Sequence, residues 1–279
     1  MRIAFVLVRR PPGSIWPEVM RLVAQRGIEV DVIYPDEQPI DLANLKLEHD
    51  LYVMKSGSET ALSLAGALHA LGATILNPYP VAVMCRDKIV ASEVLERAGV
   101  PVPESYVVAQ PAHLEPLLDD GALVVKPYRG SQGRGIQVVK DEHDLSKVHT
   151  NGPLLAQRYH PPDGPDRKIY CIGREVFGVE RIWPARTYRE KLGRPFRVNK
   201  EIREIAFRCG AAFGISLFGF DVVMSEGVPY VVDNSSFPGF KGVPNAASKL
   251  ADYIDTAKNL VARGEHLLPG LLGGEWARA

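Results

Sequence analysis

The chain has 279 residues, 46% of them hydrophobic, enough for more than one compact lobe with a proper core. Its 33 basic and 33 acidic side chains cancel, so net charge supplies no reason to expect a nucleic-acid or membrane partner, and any anion binding must come from local clusters. Cys85, Cys171 and Cys209 are too widely spaced for a disulfide framework or zinc knuckle, no apolar run reaches membrane-spanning length, and MRIAFVLVRRPP reads as a strand rather than a signal peptide; a cytoplasmic location is expected.

Arg2–Val8 is an apolar run of strand length, and Ile15–Gln25 has helical spacing up to Gly27. Strands at Glu29–Tyr34, Asp50–Met54 and Thr74–Leu76, with a helix over Ser58–Leu71, complete an alternation that predicts a small parallel sheet with helices on its faces. The loop RRPPGS after the first strand carries no G-x-G-x-x-G, so a dinucleotide fingerprint is absent. Lys55-Ser56-Gly57-Ser58 lies at a strand end before a helix N-terminus, where an anionic substrate group would be attracted; a solvated lysine is the plain alternative.

Asn77-Pro78-Tyr79-Pro80 punctuates the chain and is the expected boundary. A helix over Asp87–Ala98 follows, with Lys88 in its first turn, where the helix dipole disfavours a cation. Leu123–Lys126 is a strand ending in lysine. It leads through Tyr128-Arg129-Gly130-Ser131-Gln132-Gly133-Arg134-Gly135 to a strand at Ile136–Val139. Three glycines let backbone N–H groups approach anionic oxygens, with Ser131, Arg129 and Arg134 adding hydrogen bonds or charge; a flexible hairpin tip would look alike. Lys168–Gly173 and Val176–Arg181 form a hairpin. Beyond it, 181–197 is basic and without periodicity, a long loop suited to an anionic substrate, with Arg197 at its end. Lys200–Phe213 is an amphipathic helix that makes Cys209 a core residue, and Asn245–Val261 is the last helix.

Between those helices, FGFDVV and PYVVD read as two strands around a glycine-containing turn. A loop of Glu226-Gly227-Val228 sets Asp221 directly opposite Asp233, with Cβ atoms about 5 Å apart. Like charges so placed repel unless a hard cation joins them, Mg2+ above all and Mn2+ as its substitute. A slipped register with two solvated carboxylates is the alternative. The small polar run Asn234-Ser235-Ser236-Phe237-Pro238-Gly239-Phe240 is suited to line a site, with Ser236 and Gly239 as substrate contacts.

This hairpin, with LVVKPYRGSQGRGI at 123–136 and LLAQRYH at 154–160, resembles the ATP-grasp superfamily, and within it both the RimK-like carboxylate-amine ligases and the inositol 1,3,4-trisphosphate 5/6-kinases. The resemblance runs from Lys55 to Ile254 and implies an α/β and α+β protein. A Rossmann-like pre-ATP-grasp lobe (1–78) would precede two α+β sub-lobes (79–160 with the glycine-rich loop, 161–279 with the metal-binding hairpin) that clasp ATP. Carried over residue by residue, Lys88, Lys126 and the loop residues Ser131, Gly133, Arg134 and Gly135 hold the phosphates. Gln157, Arg158 and Tyr159 meet adenine through main-chain groups, with His160 adjacent, and Asp166 meets the ribose. Lys168 and Arg181 act at the reacting phosphoryl or acyl group, and Asp221, Asp233 and Ser235 hold the metal, although the family usually has asparagine where Ser235 stands.

The implied activities are an ATP-dependent ligase joining a carboxylate to an amine through an acyl phosphate, favoured by SQGRGI, and a kinase acting on an inositol phosphate or similar polyol, favoured by Asp233 and Phe-Pro-Gly-Phe. Ser235 also leaves room for a catalytically silent ATP-binding module. The partners would be ATP, a small anionic or carboxylate substrate and an amine acceptor, with a homo-oligomer left open.

Overall fold

The computed structural model describes residues 1–9, 13–130, 133–182, 187–264 and 267. The chain opens with β1 (Arg2–Val6), α1 (Trp16–Ala24), β2 (Glu29–Ile33), β3 (Leu51–Met54), α2 (Glu59–Ala70) and β4 (Ile75–Leu76). The four strands form a parallel sheet in the order β2-β1-β3-β4, as alternation of strands and helices predicts. Ser58 caps α2 by accepting a hydrogen bond from the Ala61 N–H.

Two helices then run back to back, α3 (Tyr79–Arg86) and α4 (Lys88–Arg97). The first starts within the stretch Asn77–Pro80: Pro80 sits in its first turn, where its missing N–H costs no hydrogen bond. Asp87 ends α3 and caps α4 through the Ile89 and Val90 N–H groups. β5 (Ser105–Val108), a 3-10 helix (Pro111–Asp120), β6 (Leu123–Pro127), β7 (Gln137–Val139), α5 (Glu142–Leu145) and β8 (Leu154–Arg158) follow. They build an antiparallel sheet in the order β5-β8-β6-β7.

The third sheet contains β9 (Asp166–Ile172), β10 (Glu175–Arg181), β11 (Arg194–Phe196), β12 (Leu217–Ser225) and β13 (Val228–Ser235) in the order β11-β10-β9-β12-β13, all antiparallel. α6 (Tyr188–Leu192), α7 (Lys200–Phe213) and α8 (Ala246–Ala262) complete the described chain. The stretch 181–197, expected to be a loop, contains α6 and the edge strand β11. Thr187 and Glu190 close a reciprocal capping box on α6, and the Phe196 ring covers Gly178, where a Cβ would come within 2.5 Å of it.

Two cores show how the pieces join. Val81, Cys85, Ala91 and Leu95 of α3 and α4 pack with Ile169, Cys171, Phe218 and Phe220 of the third sheet and with Ile202 and Cys209 of α7. Ile3, Phe5, Trp16 and Val19 of the first lobe share a core with Tyr170, Phe237, Phe240 and Leu250. Cys209 is buried in the first of these cores, as the helical pattern predicts. Among the described residues no helix is long and apolar enough to cross a membrane.

Candidate active site

Asp221 on β12 does stand opposite Asp233 on β13. The route to that pairing differs from the expectation. The turn is the two residues Glu226 (φ 51°) and Gly227 (φ 76°), left-handed at both, with Ser225 opposite Val228. Two-residue turns of this kind match the right-handed strand twist, so the ladder starts one residue earlier than a three-residue loop would set it. Val222 then faces Val231, and an extra residue, Val232, restores the offset before Asp233. Without that bulge Asp221 would face a valine.

Each carboxylate is met by a lysine. Lys168 Nζ lies 2.8 Å from Asp221 Oδ2, and Lys88 Nζ lies 3.4 Å from Asp233 Oδ1 while donating to the Gly130 carbonyl at 3.1 Å. Burial opposes the charge on Lys168 most strongly of any single influence, but Asp221, Tyr170 and Asp233 together outweigh it and the pKa is raised. Lys126 is 4% exposed and donates to Gln157 Oε1 at 2.6 Å and to the Val232 carbonyl at 2.9 Å. Burial pushes its pKa down to about 8. An ammonium has three N–H donors, and these bonds use two of them.

Lys88, Gly130, Gly133, Asp166, Lys168, Arg181, Asp221, Asp233, Ser235, Ser236 and Gly239 line one cavity of about 750 Å³, and the first lobe supplies Lys55 to Ser58. Burial, reinforced by the Asp221 charge, pushes the Asp166 carboxyl up to about 6. No group of three His, Cys, Asp or Glu side chains able to hold a metal gathers among the described residues. A pair of hard carboxylates therefore fits a divalent cation that takes its remaining ligands from water and a nucleotide's phosphates.

The raised Asp166 pKa has a stability consequence. A carboxyl raised from 3.8 to about 6 favours the fold when protonated, so the cost of ionising it is absent below about pH 4 and full above about pH 6. Asp166→Asn should therefore melt higher than the parent at pH 8 without metal, by about 1–2 kcal/mol or roughly 2–6 °C, and no higher at pH 4. Thermal denaturation at the two pH values checks it; an equal effect at both would remove Asp166 from the charged cluster.

Other expected residues lie elsewhere. The N–H groups of Arg158 and Tyr159 already bond to the carbonyls of Glu104 and Ala122, so the main-chain donors expected to meet adenine are engaged within the fold. The Arg158 guanidinium turns to the Leu117 carbonyl, Asp120 and Tyr106. Asp166 sits with the carboxylates and lysines of the cavity rather than by the hinge, because β9 starts at that residue, three places before Ile169 enters the core. Arg197 is exposed on a separate cavity with Phe196, Lys200 and Arg203, since β11 pairs with β10 and carries it away. Arg134 is exposed, and at Gly135 (φ 74°) a Cβ would come within 2.8 Å of the Pro127 ring, so the loop folds back on β6. Ser131 lies outside the described residues.

Three features escaped sequence reasoning. Asn234 hydrogen-bonds through its side chain to the Cys85 thiol, whose pKa burial pushes up to about 12, and lines the cavity together with Ser235. Lys191 and Lys241 add charge to the same cavity, and only the general basicity around 181–197 pointed that way for Lys191. Lys55 is buried between the Trp16 and Phe237 rings.

The RimK-like ATP-grasp domain family matches residues 85–261. A probable alpha-L-glutamate ligase of Parasynechococcus marenigrum is 27% identical over 195 residues, 64% of this chain and 42% of that protein, so the chain spans less than half of that relative's length. The ribosomal protein bS6–L-glutamate ligase of Escherichia fergusonii is 27% identical over 264 residues, 83% of this chain and 88% of that one. Among solved structures, a RimK domain ATP-grasp protein from Sphaerobacter thermophilus has a TM-score of 0.73 at 18% identity, covering 90% of this chain and 98% of the other. The structural match bears out the ATP-grasp architecture expected from the order of motifs. With the family's match running through more than half of the chain, from Cys85 past both facing carboxylates, the chain belongs to the RimK-like ATP-grasp family.

Proposed function

We propose that this chain is a Mg2+-ATP-dependent ligase that joins a carboxylate to an amine, with residues 1–78, 79–160 and 161–279 as its working units. The observation that carries the reading is one cavity where the facing Asp221 and Asp233 stand among Lys88, Lys168, Arg181, Lys191 and Lys241, with residues 55–58 of the first lobe also lining it. Such a cleft has room for a triphosphate and a second anion side by side. A feature that favoured a polyol kinase has another explanation: Phe237 and Phe240 of the Phe-Pro-Gly-Phe run are 7% and 1% exposed and pack against Trp16 and Tyr170 as core. Relatives named for glutamate ligation make glutamate and acidic peptides the first candidates.

In this reading Lys88 and the third N–H of Lys126 hold the triphosphate beside the glycine loop. Asp221 and Asp233 hold the divalent ion, which when bound draws charge from the phosphoryl oxygens. A substrate carboxylate oxygen attacks the γ-phosphorus, ADP leaves, and an acyl phosphate results. The amine then attacks the acyl carbon, loses a proton, and phosphate departs. Arg181 Nη2 is tied to the Tyr170 hydroxyl and, at 3.3 Å, to the Lys241 carbonyl, which holds the guanidinium where it can steady the developing oxyanion.

A screen over amino acids, acidic peptides and inositol phosphates with Mg2+-ATP, followed by released phosphate, ADP and product mass, tests this. Free phosphate should appear in step with an amide product. A phosphorylated polyol without free phosphate would point to the kinase, and nucleotide binding without ADP release from any acceptor to a silent module.

A further inference from the structure

We propose that Ser105 and Gln157 are positioning residues for the metal-binding half of the cleft: acting through Lys126, they hold the carbonyl of the extra strand residue Val232 and so keep Asp233 on the face of Asp221. The inference rests on the reading of Asp221 and Asp233 as metal ligands.

The direction of every bond in this relay is determined by its far end. The Pro103 carbonyl can only accept, so the Ser105 hydroxyl donates to it at 2.8 Å. Its lone pairs then receive the Gln157 Nε2–H at 3.0 Å. That turns Gln157 Oε1 to the Lys126 ammonium at 2.6 Å, an orientation the amide could not keep if Ser105 did not accept. Lys126 sends a further N–H from the β6 sheet to Val232 on the other sheet, at 2.9 Å. Gln157 and Lys126 are 2% and 4% exposed, so a broken link cannot be replaced cheaply by solvent.

Val232 is where such a clamp acts on the site. It is the unpaired residue of the bulge, lying between Val231, which is buried opposite Val222, and Asp233. A bulge leaves one peptide unit outside the ladder, with a carbonyl that needs a partner. Should the strand slip to close the bulge, Val232 would face Asp221 and Asp233 would face the buried Phe220, on the other side of the sheet. The Val231 N–H also donates to the Pro101 carbonyl at 2.8 Å. The segment from Pro101 to Ser105 thus grips the bulge directly and through the relay.

The test compares Ser105→Ala, Ser105→Thr and Gln157→Leu with the parent. Mn2+ binding is followed by electron paramagnetic resonance of the free ion at saturating non-hydrolysable ATP analogue, with thermal melting alongside. Ser105→Ala and Gln157→Leu should lower the melting temperature by a few degrees and, at a temperature where every variant is folded, weaken Mn2+ binding about tenfold; Ser105→Thr, which keeps the hydroxyl, should restore the affinity to within about twofold. Should Gln157→Leu not fold, the alanine and threonine pair decides alone. Unchanged Mn2+ affinity in Ser105→Ala, or a threonine variant as weak as the alanine one, overturns the inference. A parent protein that binds no Mn2+ with nucleotide overturns the metal-site reading itself, and this inference with it.

Discussion

Asp221→Asn and Asp233→Asn should each lower ATP turnover by about 10³-fold, the loss corresponding to roughly 4 kcal/mol of charge stabilisation at the transferring phosphoryl group. An amide keeps the size and one acceptor of the carboxylate but not its charge, so a divalent ion loses half of its protein anions in either variant. The two should differ in stability. Lys168 is 14% exposed and lies 2.8 Å from Asp221, whereas the Lys88 contact with Asp233 is 3.4 Å and Lys88 also donates to the Gly130 carbonyl. Asp221→Asn leaves the more dependent cation behind and should cost about 1 kcal/mol more than Asp233→Asn. Steady-state turnover with Mg2+-ATP and metal-free melting curves read both effects. Either variant turning over at the parent rate would take that carboxylate out of the site.

For Lys126→Met we expect kcat/KM for ATP to fall by about 10²-fold, the loss of one charge-assisted bond to a phosphate in a dry setting. The parent should also show an alkaline limb that the variant lacks. With the ammonium depressed to about 8, kcat/KM for ATP should drop roughly tenfold per pH unit above that value, because the neutral amine no longer attracts the triphosphate. The sign is opposite for the fold without nucleotide. A lysine depressed from 10.5 to about 8 gains stability as pH rises between those values and loses it as pH falls through the lower one. A pH series from 6 to 10 separates these effects, and a methionine variant within a few-fold of the parent throughout would mean that Lys126 serves only the contact with Val232.

Much of the fold was readable from local pattern. The parallel lobe followed from strands and helices in alternation, and α7 was placed at Lys200–Phe213 by the spacing of Ile202, Ile205, Ala206, Cys209 and Phe213. α3 was missed because two prolines read as punctuation, although one of them caps a helix and the other sits in its first turn. β11 was missed because three residues carry no periodicity; it exists through its pairing with β10.

The facing of Asp221 and Asp233 was inferred from the right register reached by the wrong turn, and that contrast marks the limit of sequence reasoning here. Residue types and spacing determined which side chains could carry the chemistry: two acids on neighbouring strands, a lysine ending a strand, and glycines in a loop. Tertiary structure alone decided which of them meet. The bulge at Val232, the departure of Arg197 and the engagement of the Arg158 and Tyr159 N–H groups all depend on partners far away in the chain. Local preference cannot specify such contacts, because burial and hydrogen-bond satisfaction are settled only when the sheets pack together.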